Sequence, residues 1–454
     1  MKPDTIAAIA TGSARTAIGI LRISGPEAVQ VLSAVFTPKG HTPLLDRSPG
    51  TLIYGTLRDQ TGAVLDNCLA TFSRAPHSYT GEDTAELQCH GSPAVLTAGL
   101  EALFAAGTRL AKAGEFTQRA FLNGKLDLIQ AEAVIDLIDA ETPEAAKNAA
   151  GQLSGAISVK MTAIYDQLVD LMAHFHAVLD YPDEDIDPFE AQEIAATVAQ
   201  AAGQLEALRA TYRRGRQLTE GIPTAIVGAP NAGKSSLLNA LLGYDRAIVT
   251  AIPGTTRDTV EEKAVLGGVL LRLIDTAGLR ETGDAVERIG VQRSRNAVER
   301  AGLVLVVLDG SQPLTPEDRD ALDAAKQATH RLVLLNKSDL PWVLRPEDFP
   351  GEQVLTLSAG TGTGLDALEQ AIRTLFPSGH DQPGELLTNA RQAEAVGRAA
   401  EALRAVEEAL EAGMPPDAVL SDVENALYAL GEVTGRRVSE DITSRIFARF
   451  CVGK

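Results

Sequence analysis

The sequence predicts a multidomain α/β and α+β protein. It has 454 residues, and single hydrophobic cores stop growing well below that length, so two to four domains are expected. In one part of the chain, short β-branched or Leu-rich runs alternate with helix-compatible stretches, which is typical of a parallel α/β domain. These runs are residues 224–227, 270–274, 303–308, 331–335 and 354–357.

The remaining segments differ in character from this α/β domain, which is predicted to span residues 218–377. Residues 1–120 contain short mixed segments and many turn residues, which favours an α+β domain. Residues 121–217 and 378–454 carry apolar residues at helical spacing, and Ser439 is a candidate N-cap in the second stretch. The two helical stretches are expected to form one discontinuous helical domain, interrupted by the α/β domain.

Composition excludes several function classes. Lys and Arg total 41 against 60 Asp and Glu, and the net charge of −19 repels a nucleic-acid backbone. Cys68, Cys89 and Cys451 lack CxxC spacing, which indicates neither a disulfide framework nor a cysteine zinc site. No apolar run approaches the roughly 20 residues that cross a bilayer, and the first residues do not resemble a signal peptide. A cytoplasmic location without membrane attachment is expected.

A phosphate-binding loop is predicted at residues 228–235. The segment GAPNAGKS fits the pattern GxxxxGK[ST] and lies between an apolar run and a helix-like run, which is the context this motif needs. In such a loop Lys234 can bridge the β and γ phosphates, and Ser235 can ligate magnesium. The predicted nucleotide contacts are Asn231, Ala232, Gly233, Lys234, Ser235 and Ser236.

The tetrapeptide NKSD at residues 336–339 predicts guanine as the base. Asp339 can accept hydrogen bonds from guanine N1–H and the 2-amino group, donors that adenine does not offer, while the stem of Lys337 can cover the ring. The segment SAG at residues 358–360 follows the last apolar run and fits the element beside the base. The predicted base contacts are Asn336, Lys337, Asp339, Ser358, Ala359 and Gly360.

Two switch elements are predicted between these motifs. In DTAG at residues 275–278, Asp275 can hold the magnesium shell and the N–H of Gly278 can sense the γ-phosphate. GTTRD at residues 254–258 lies where the first switch of GTPases is found, and Thr256 is predicted to close over the magnesium. The predicted nucleotide contacts here are Thr250, Ala251, Ile252, Pro253, Gly254, Thr255, Thr256, Asp275, Thr276, Ala277 and Gly278.

The sequence lacks the glutamine that Ras-type enzymes use in GTP hydrolysis. Leu279 follows Gly278, where a Ras-type enzyme has the glutamine that orients the attacking water. Asn231 could instead help to bind a monovalent cation, and Glu287 could position water. From residue type alone two alternatives stay open, namely that Asn231 only shapes the turn and that Glu287 is a solvated helix charge.

Together these motifs resemble the MnmE (TrmE) family of tRNA-modification GTPases. The resemblance is carried by GAPNAGKSSLLNAL, GTTRD, DTAGLRET, VERIG, NKSD, the N-terminal blocks YTGEDTAELQCHG and GEFTQRAFLNGKLDLIQAEAV, and the final FCVGK, so it covers essentially the whole chain. It implies an N-terminal α+β domain that binds tetrahydrofolate and dimerises, a discontinuous helical domain and an inserted Ras-like P-loop GTPase domain.

The resemblance also implies a reaction and partners. With the FAD-containing protein MnmG, the family installs a carboxymethylaminomethyl or aminomethyl group at C5 of the wobble uridine of certain tRNAs, and the one-carbon unit comes from tetrahydrofolate. FAD is held by the partner only. A homodimer, a heterotetramer with MnmG and contact with tRNA through that complex are implied, which makes the negative charge tolerable.

Several site residues are likewise implied by the resemblance. Lys234, the water-orienting Glu287 and Cys451 are the implied catalytic residues, of which Cys451 serves modification rather than GTP hydrolysis. Magnesium falls on Ser235 and Thr256, and potassium on the Asn231 side chain and the backbone oxygens of Thr250, Ile252 and Thr255. A 5,10-methylene or 5-formyl tetrahydrofolate falls on Arg22, Glu86, Lys125 and Lys454.

Two other functions compete with this interpretation. A potassium-dependent GTPase of ribosome assembly is expected to carry a basic RNA-binding module or a second GTPase domain, and the sequence shows neither. A folate-binding scaffold with a degenerate GTPase domain is disfavoured because all five nucleotide motifs are intact.

Overall fold

The computed structural model divides into two compact units. The first contains Met1–Ile135, Gln152–Ala202 and Arg398–Lys454, and the second contains Asp136–Gly151 and Gly203–Gly397. Each unit contains residues from more than one of the predicted domains. The predicted domain boundaries therefore stay a prediction. The structure describes residues 4–12, 14–180, 191–244, 262–274, 297–377, 382–414, 416–437 and 439–454.

The first unit contains a seven-stranded sheet with the order β3–β4–β5–β6–β2–β1–β7, in which only β1 and β7 pair in parallel. Side chains alternate between its faces, so that Leu21 and Leu87 are buried while Arg22 and Glu86 lie on the opposite, more polar face. The strands are β1 (Ile6–Ile9), β2 (Ile18–Ser24), β3 (Phe36–Pro38), β4 (Ile53–Arg58), β5 (Val64–Ser73), β6 (Thr84–His90) and β7 (Arg109–Leu110).

Two helices, α1 (Ala28–Val35) and α2 (Pro93–Ala105), pack against the apolar face of this sheet and close its core. A third helix, α3 (Glu115–Leu122), contributes Phe116 to a small separate cluster with Ile6 of β1. Helices packed against a mostly antiparallel sheet make an α+β domain, as predicted for the N-terminal segment.

Helices from distant parts of the sequence meet in the first unit. Helix α6 (Ala156–Asp180) packs against α13 (Leu420–Thr434), and α14 (Glu440–Phe447) contacts α3. The Ser439 hydroxyl accepts a hydrogen bond from the Ile442 N–H, which confirms the predicted N-cap. The other helices of the two helical stretches are α4 (Leu128–Ile138), α5 (Pro143–Leu153), α7 (Ala191–Ala210), α8 (Tyr212–Glu220) and α12 (Ala390–Glu411).

The second unit contains a six-stranded sheet with the order β13–β12–β11–β8–β10–β9. All pairs are parallel except that of β9 with β10. The five strands predicted from the sequence are confirmed to within two residues, and β9 was not predicted. The strands are β8 (Ile222–Val227), β9 (Glu262–Leu266), β10 (Val269–Leu273), β11 (Leu303–Asp309), β12 (Arg331–Asn336) and β13 (Val354–Thr356).

Both faces of this sheet are covered, as a parallel sheet requires. Helices α9 (Lys234–Tyr244) and α11 (Leu365–Leu375) contribute to one apolar core, and α10 (Pro316–Ala325) contributes to the other. The carboxyl ends of β8, β11, β12 and β13 therefore share one edge, where ligands bind in open α/β sheets. Among the helices of the described ranges, none combines the length and apolar character needed to cross a membrane.

Candidate nucleotide-binding site

The predicted phosphate loop lies at the carboxyl edge of the second unit's sheet. β8 ends at Val227 and α9 begins at Lys234, so the loop leads into the amino terminus of α9. Asn231 has a φ of 62°, a left-handed conformation that asparagine tolerates, and it is exposed. Ser235 and Ser236 are exposed in the first helical turn. The N–H groups at the amino terminus of an α-helix favour a bound anion.

Both glycines of the motif are required by their surroundings. A Cβ on Gly228 would lie 2.1 Å from the Val307 carbonyl oxygen of β11, and its φ is 148°. A Cβ on Gly233 would lie 2.0 Å from Nδ2 of Asn336, and its φ is 98°. The second glycine therefore makes room for Asn336, the first residue of the NKSD motif.

Asn336 joins three of the predicted nucleotide-binding loops. Its Nδ2 donates to the Ala232 carbonyl of the phosphate loop at 2.8 Å, and its Oδ1 accepts from the Ala359 N–H at 2.9 Å. The side chain is buried, so both bonds are shielded from water. The amide consequently fixes the phosphate loop against the two loops predicted to hold the base.

Lys234 projects along the phosphate loop. Its Nζ donates to the carbonyl oxygens of Gly228 at 2.9 Å and Ala229 at 2.7 Å. Burial lowers the pKa of Lys234, and the negative charge of Asp318 opposes that shift. The ammonium group is thus held where its charge can meet a phosphate.

The NKSD loop presents its lysine in a fixed conformation. Lys337 has a φ of 64°, and its Nζ lies 2.7 Å from Oδ2 of Asp309 at the end of β11. Burial alone would raise the pKa of Asp309, but hydrogen bonds from Lys337 and Ser311 outweigh it and lower the pKa. Asp339 is exposed, so its carboxylate is open to a base.

The remaining base-side residues lie after β13. Ser358 and Ala359 are buried, and Gly360 is exposed. The Ser358 Oγ accepts from the Thr361 N–H at 3.3 Å, which closes this loop on itself.

The predicted switch and catalytic residues between the motifs lie outside the described residues. They are Thr250, Ala251, Ile252, Pro253, Gly254, Thr255, Thr256, Asp275, Thr276, Ala277, Gly278 and Glu287.

A second candidate site lies on the polar face of the first unit's sheet. Arg22 and Glu86 are directly opposed on β2 and β6, and Arg22 Nε donates to Glu86 Oε1 at 2.8 Å. The Arg22 guanidinium also donates to the Gly453 carbonyl at 3.2 Å and lies 5.8 Å from the centre of the Phe116 ring. The Phe116 N–H donates to the Lys454 carbonyl at 3.2 Å. Three of the four predicted folate residues therefore adjoin one another.

The fourth predicted folate residue, Lys125, follows α3. Its Nζ donates to the Pro76 carbonyl at 3.1 Å, and its stem lies beside Gly81. Cys451 is exposed, and its carbonyl accepts from the Gly114 N–H at 3.3 Å. The following residue, Val452, forms an isolated bridge with Ala113.

Sequence reasoning missed three participants in these sites. Asp309 was missed although it directly follows an apolar run, because an acidic residue after a strand is a common turn signal, and Ser311 was missed with it. Phe116 was missed because an aromatic residue at helical spacing is usually part of the core.

A doubly covered parallel sheet, with a P-loop and an NKSD loop fixed together at one edge, defines a P-loop protein of the guanine-nucleotide-binding class. Residues 5–125 match the family model described as the GTP-binding protein TrmE N-terminus, and residues 128–451 match that of the MnmE helical domain. The chain belongs to the MnmE family of tRNA modification GTPases. These matches confirm that the chain contains an N-terminal domain and a helical domain of this family.

Curated relatives are similar in sequence to this chain over its whole length. The tRNA modification GTPase MnmE of Symbiobacterium thermophilum is 46% identical, with 100% of both chains covered. Its counterpart from Roseiflexus sp. is 45% identical, with 99% of each chain covered. That of Enterococcus faecalis is 42% identical, covering 100% of this chain and 99% of its own.

Proposed function

We propose that this chain hydrolyses GTP and couples hydrolysis to the modification of tRNA. The observation that carries the nucleotide part is the Asn336 side chain, which bonds to both Ala232 and Ala359. A ligand that spans the phosphate loop and the base loops needs them at a fixed spacing, and this carboxamide holds them together. The tRNA part rests on the relatives, which are named tRNA modification GTPases.

The nucleotide is held by the loops around Lys234 and Asp339, with magnesium on Ser235 and Thr256. Potassium is bound by the Asn231 side chain and by backbone oxygens of Thr250, Ile252 and Thr255. Hydroxyl, amide and carbonyl oxygens are the donors that these hard cations take. The exposed Asn231 in its left-handed turn supports this assignment. Glu287 orients the attacking water, since Leu279 stands where a glutamine would do so.

The one-carbon donor is a tetrahydrofolate derivative, of the 5,10-methylene or 5-formyl form, bound by Arg22, Glu86, Lys125 and Lys454. A carboxylate suits the donor edge of a pterin, and cations suit a glutamate tail. The support is the adjacency of Arg22, Glu86 and the Lys454 backbone. Cys451 is exposed and takes part in the modification.

The product is 5-carboxymethylaminomethyl or 5-aminomethyl uridine at the wobble position, formed in the cytoplasm. The chain acts as a homodimer that joins the FAD-containing MnmG in a heterotetramer, and tRNA is bound through that complex. Its net charge of −19 supports the need for a partner that supplies basic surface.

The catalytic part is tested by measuring GTP hydrolysis in potassium and in sodium chloride at equal ionic strength. Faster hydrolysis in potassium is expected, and Asn231→Ala is expected to remove the difference while guanine nucleotide still binds. Equal wild-type rates in the two salts would contradict the potassium assignment.

The biological part is tested by nucleoside analysis of tRNA from cells lacking the gene. The wobble modification should be lost, and it should return with the wild-type gene but not with Lys234→Ala. Unchanged modification in the deletion strain would favour a GTPase of ribosome assembly instead.

A further inference from the structure

Asp309 is held at both of its carboxylate oxygens. It is the last residue of β11 and is paired in register with Asn336, the last residue of β12. Oδ1 accepts from the Ser311 N–H at 3.0 Å and from the Ser311 Oγ at 2.6 Å. Oδ2 accepts from Lys337 Nζ at 2.7 Å. The carboxylate is therefore a rigid anchor, because a fixed strand end and a fixed turn hold it.

Lys337 is fixed at its other end by the backbone. Among the described residues with a side chain, only Asn231 and Lys337 have positive φ, and both lie in the nucleotide site. The loop is locked by the Ser338 N–H, which donates to Leu357 O at 3.2 Å, and by the Leu340 N–H, which donates to Lys337 O at 2.9 Å. The lysine stem thus runs between two fixed points.

A stem held at both ends presents a preformed apolar surface. The Lys337 side chain keeps 32% of its surface exposed, so part of the stem stays open. A free lysine loses much rotamer freedom when a ligand packs on it, and that loss weakens binding. In this site the ion pair with Asp309 already restricts the rotamers of Lys337 before a ligand binds, so that binding costs less rotamer entropy.

We propose that Asp309 is a positioning residue for the guanine base, acting by holding the stem of Lys337 against the position of the ring. The inference rests on the proposed GTP-binding function. Because ring packing does not read the 2-amino group, Asp309 raises affinity for guanine and hypoxanthine nucleotides alike, whereas Asp339 distinguishes them.

An alternative is that the pair is an ordinary surface ion pair, which contributes little beyond stability. The same strand offers a matched control for this alternative. At the other end of β12, Arg331 donates to Glu352 through Nε at 2.6 Å and through Nη2 at 2.8 Å. The two pairs are similarly exposed. The side chains of Arg331 and Glu352 are 29% and 18% exposed, and those of Lys337 and Asp309 are 32% and 20% exposed.

The test measures affinity for fluorescent GDP and IDP, and the kcat and KM of GTP hydrolysis, on the full chain. Asp309→Ala and Lys337→Met should each weaken GDP and IDP binding by about tenfold and should change the KM for GTP more than kcat, because both free the stem. The double variant should be no weaker than either single variant. Glu352→Ala should bind as the wild type does. Asp309→Asn, which keeps the shape and the Ser311 contacts, provides a second variant if Asp309→Ala misfolds.

Wild-type affinity in both Asp309 variants would overturn the inference, as would a Glu352→Ala effect of equal size or full additivity of the two substitutions. In each of these cases the wild type still binds guanine nucleotide, so the proposed function stands. A wild-type protein that binds no guanine nucleotide would overturn the proposed function and this inference with it.

Discussion

Asn336 packs so closely against Gly233 that position 233 has no room for a side chain, since a Cβ on the glycine would lie 2.0 Å from Asn336 Nδ2. The phosphate loop and the base loops therefore depend on one contact. A substitution at this point should damage both parts of the nucleotide site at once.

We expect Gly233→Ala to lower guanine nucleotide affinity by at least about 100-fold. The methyl group must displace the Asn336 amide from Ala232 and Ala359, and the positive φ adds about 1–2 kcal/mol of backbone strain. Calorimetric titration with GDP measures the loss. The control is Gly243→Ala in α9, where an added Cβ meets no atom within 4 Å, and this variant should bind normally with equal or higher Tm. Normal binding by Gly233→Ala would show that Asn336 does not link the loops.

Asp339→Asn should redirect base preference from guanine to xanthine. The amide replaces an acceptor by a donor, and xanthine has a carbonyl where guanine has its 2-amino group. A change in the GTP to XTP preference on the order of 100-fold is expected, because an unpaired buried polar group on the base weakens binding strongly. Competition between the two nucleotides measures it. The exposed Asp320→Asn in α10 serves as control, and retained GTP preference in Asp339→Asn would refute the base assignment.

Glu115 should stabilise the first unit in a pH-dependent way. Burial alone would raise its pKa, but hydrogen bonds from Arg109, the Lys112 N–H and Arg119 outweigh it and hold the pKa below its ordinary value of 4.5. A lowered folded pKa adds stability above the unfolded pKa, and that stability is lost as pH falls through the folded pKa.

Glu115→Gln should therefore destabilise the protein at neutral pH by about 3 kcal/mol, since it leaves two arginines with fewer partners. The difference in Tm from wild type should shrink as the pH falls below 4.5. Thermal unfolding across pH 7 to 3.5 measures it, with the exposed Glu101→Gln of α2 as control. A constant Tm difference at all these pH values would contradict the assignment.

Thiol reactivity should separate the three cysteines. Cys451 is exposed, whereas Cys68 and Cys89 are buried. The hydrogen bond with Cys68, followed by burial, raises the pKa of the Cys89 thiol. One thiol per native chain should react rapidly with a disulfide reagent, and none should do so in Cys451→Ser. Rapid reaction of a second thiol would contradict the burial of this pair.

The sequence predicts much of the nucleotide domain because its strands are continuous apolar runs. Leu303 to Leu308 are all buried, so β11 is visible from composition alone. β9 was missed because its first residues, Glu262 and Lys263, are charged and mask a short edge strand. The loops were located by their motifs, but the bonds from Asn336 to Ala232 and Ala359 depend on strand order, which a motif does not encode.

The first unit was harder to predict from its residues. The cross-strand pair of Arg22 and Glu86 joins β2 and β6, which are separated by three other strands in the sequence. Only the family resemblance connected these residues with Lys454. An ordinary pattern of surface charges gives no sign of such long-range pairing.

The bond from Arg22 to the Gly453 carbonyl joins residues 431 positions apart, so it has an extreme contact order. On a translating ribosome the N-terminal sheet emerges early, but the corner formed by Arg22, Phe116 and the last residues has to wait. At ordinary elongation rates the delay is on the order of tens of seconds. A chain interrupted before Cys451 would have the strands and nucleotide loops in place and still lack this corner.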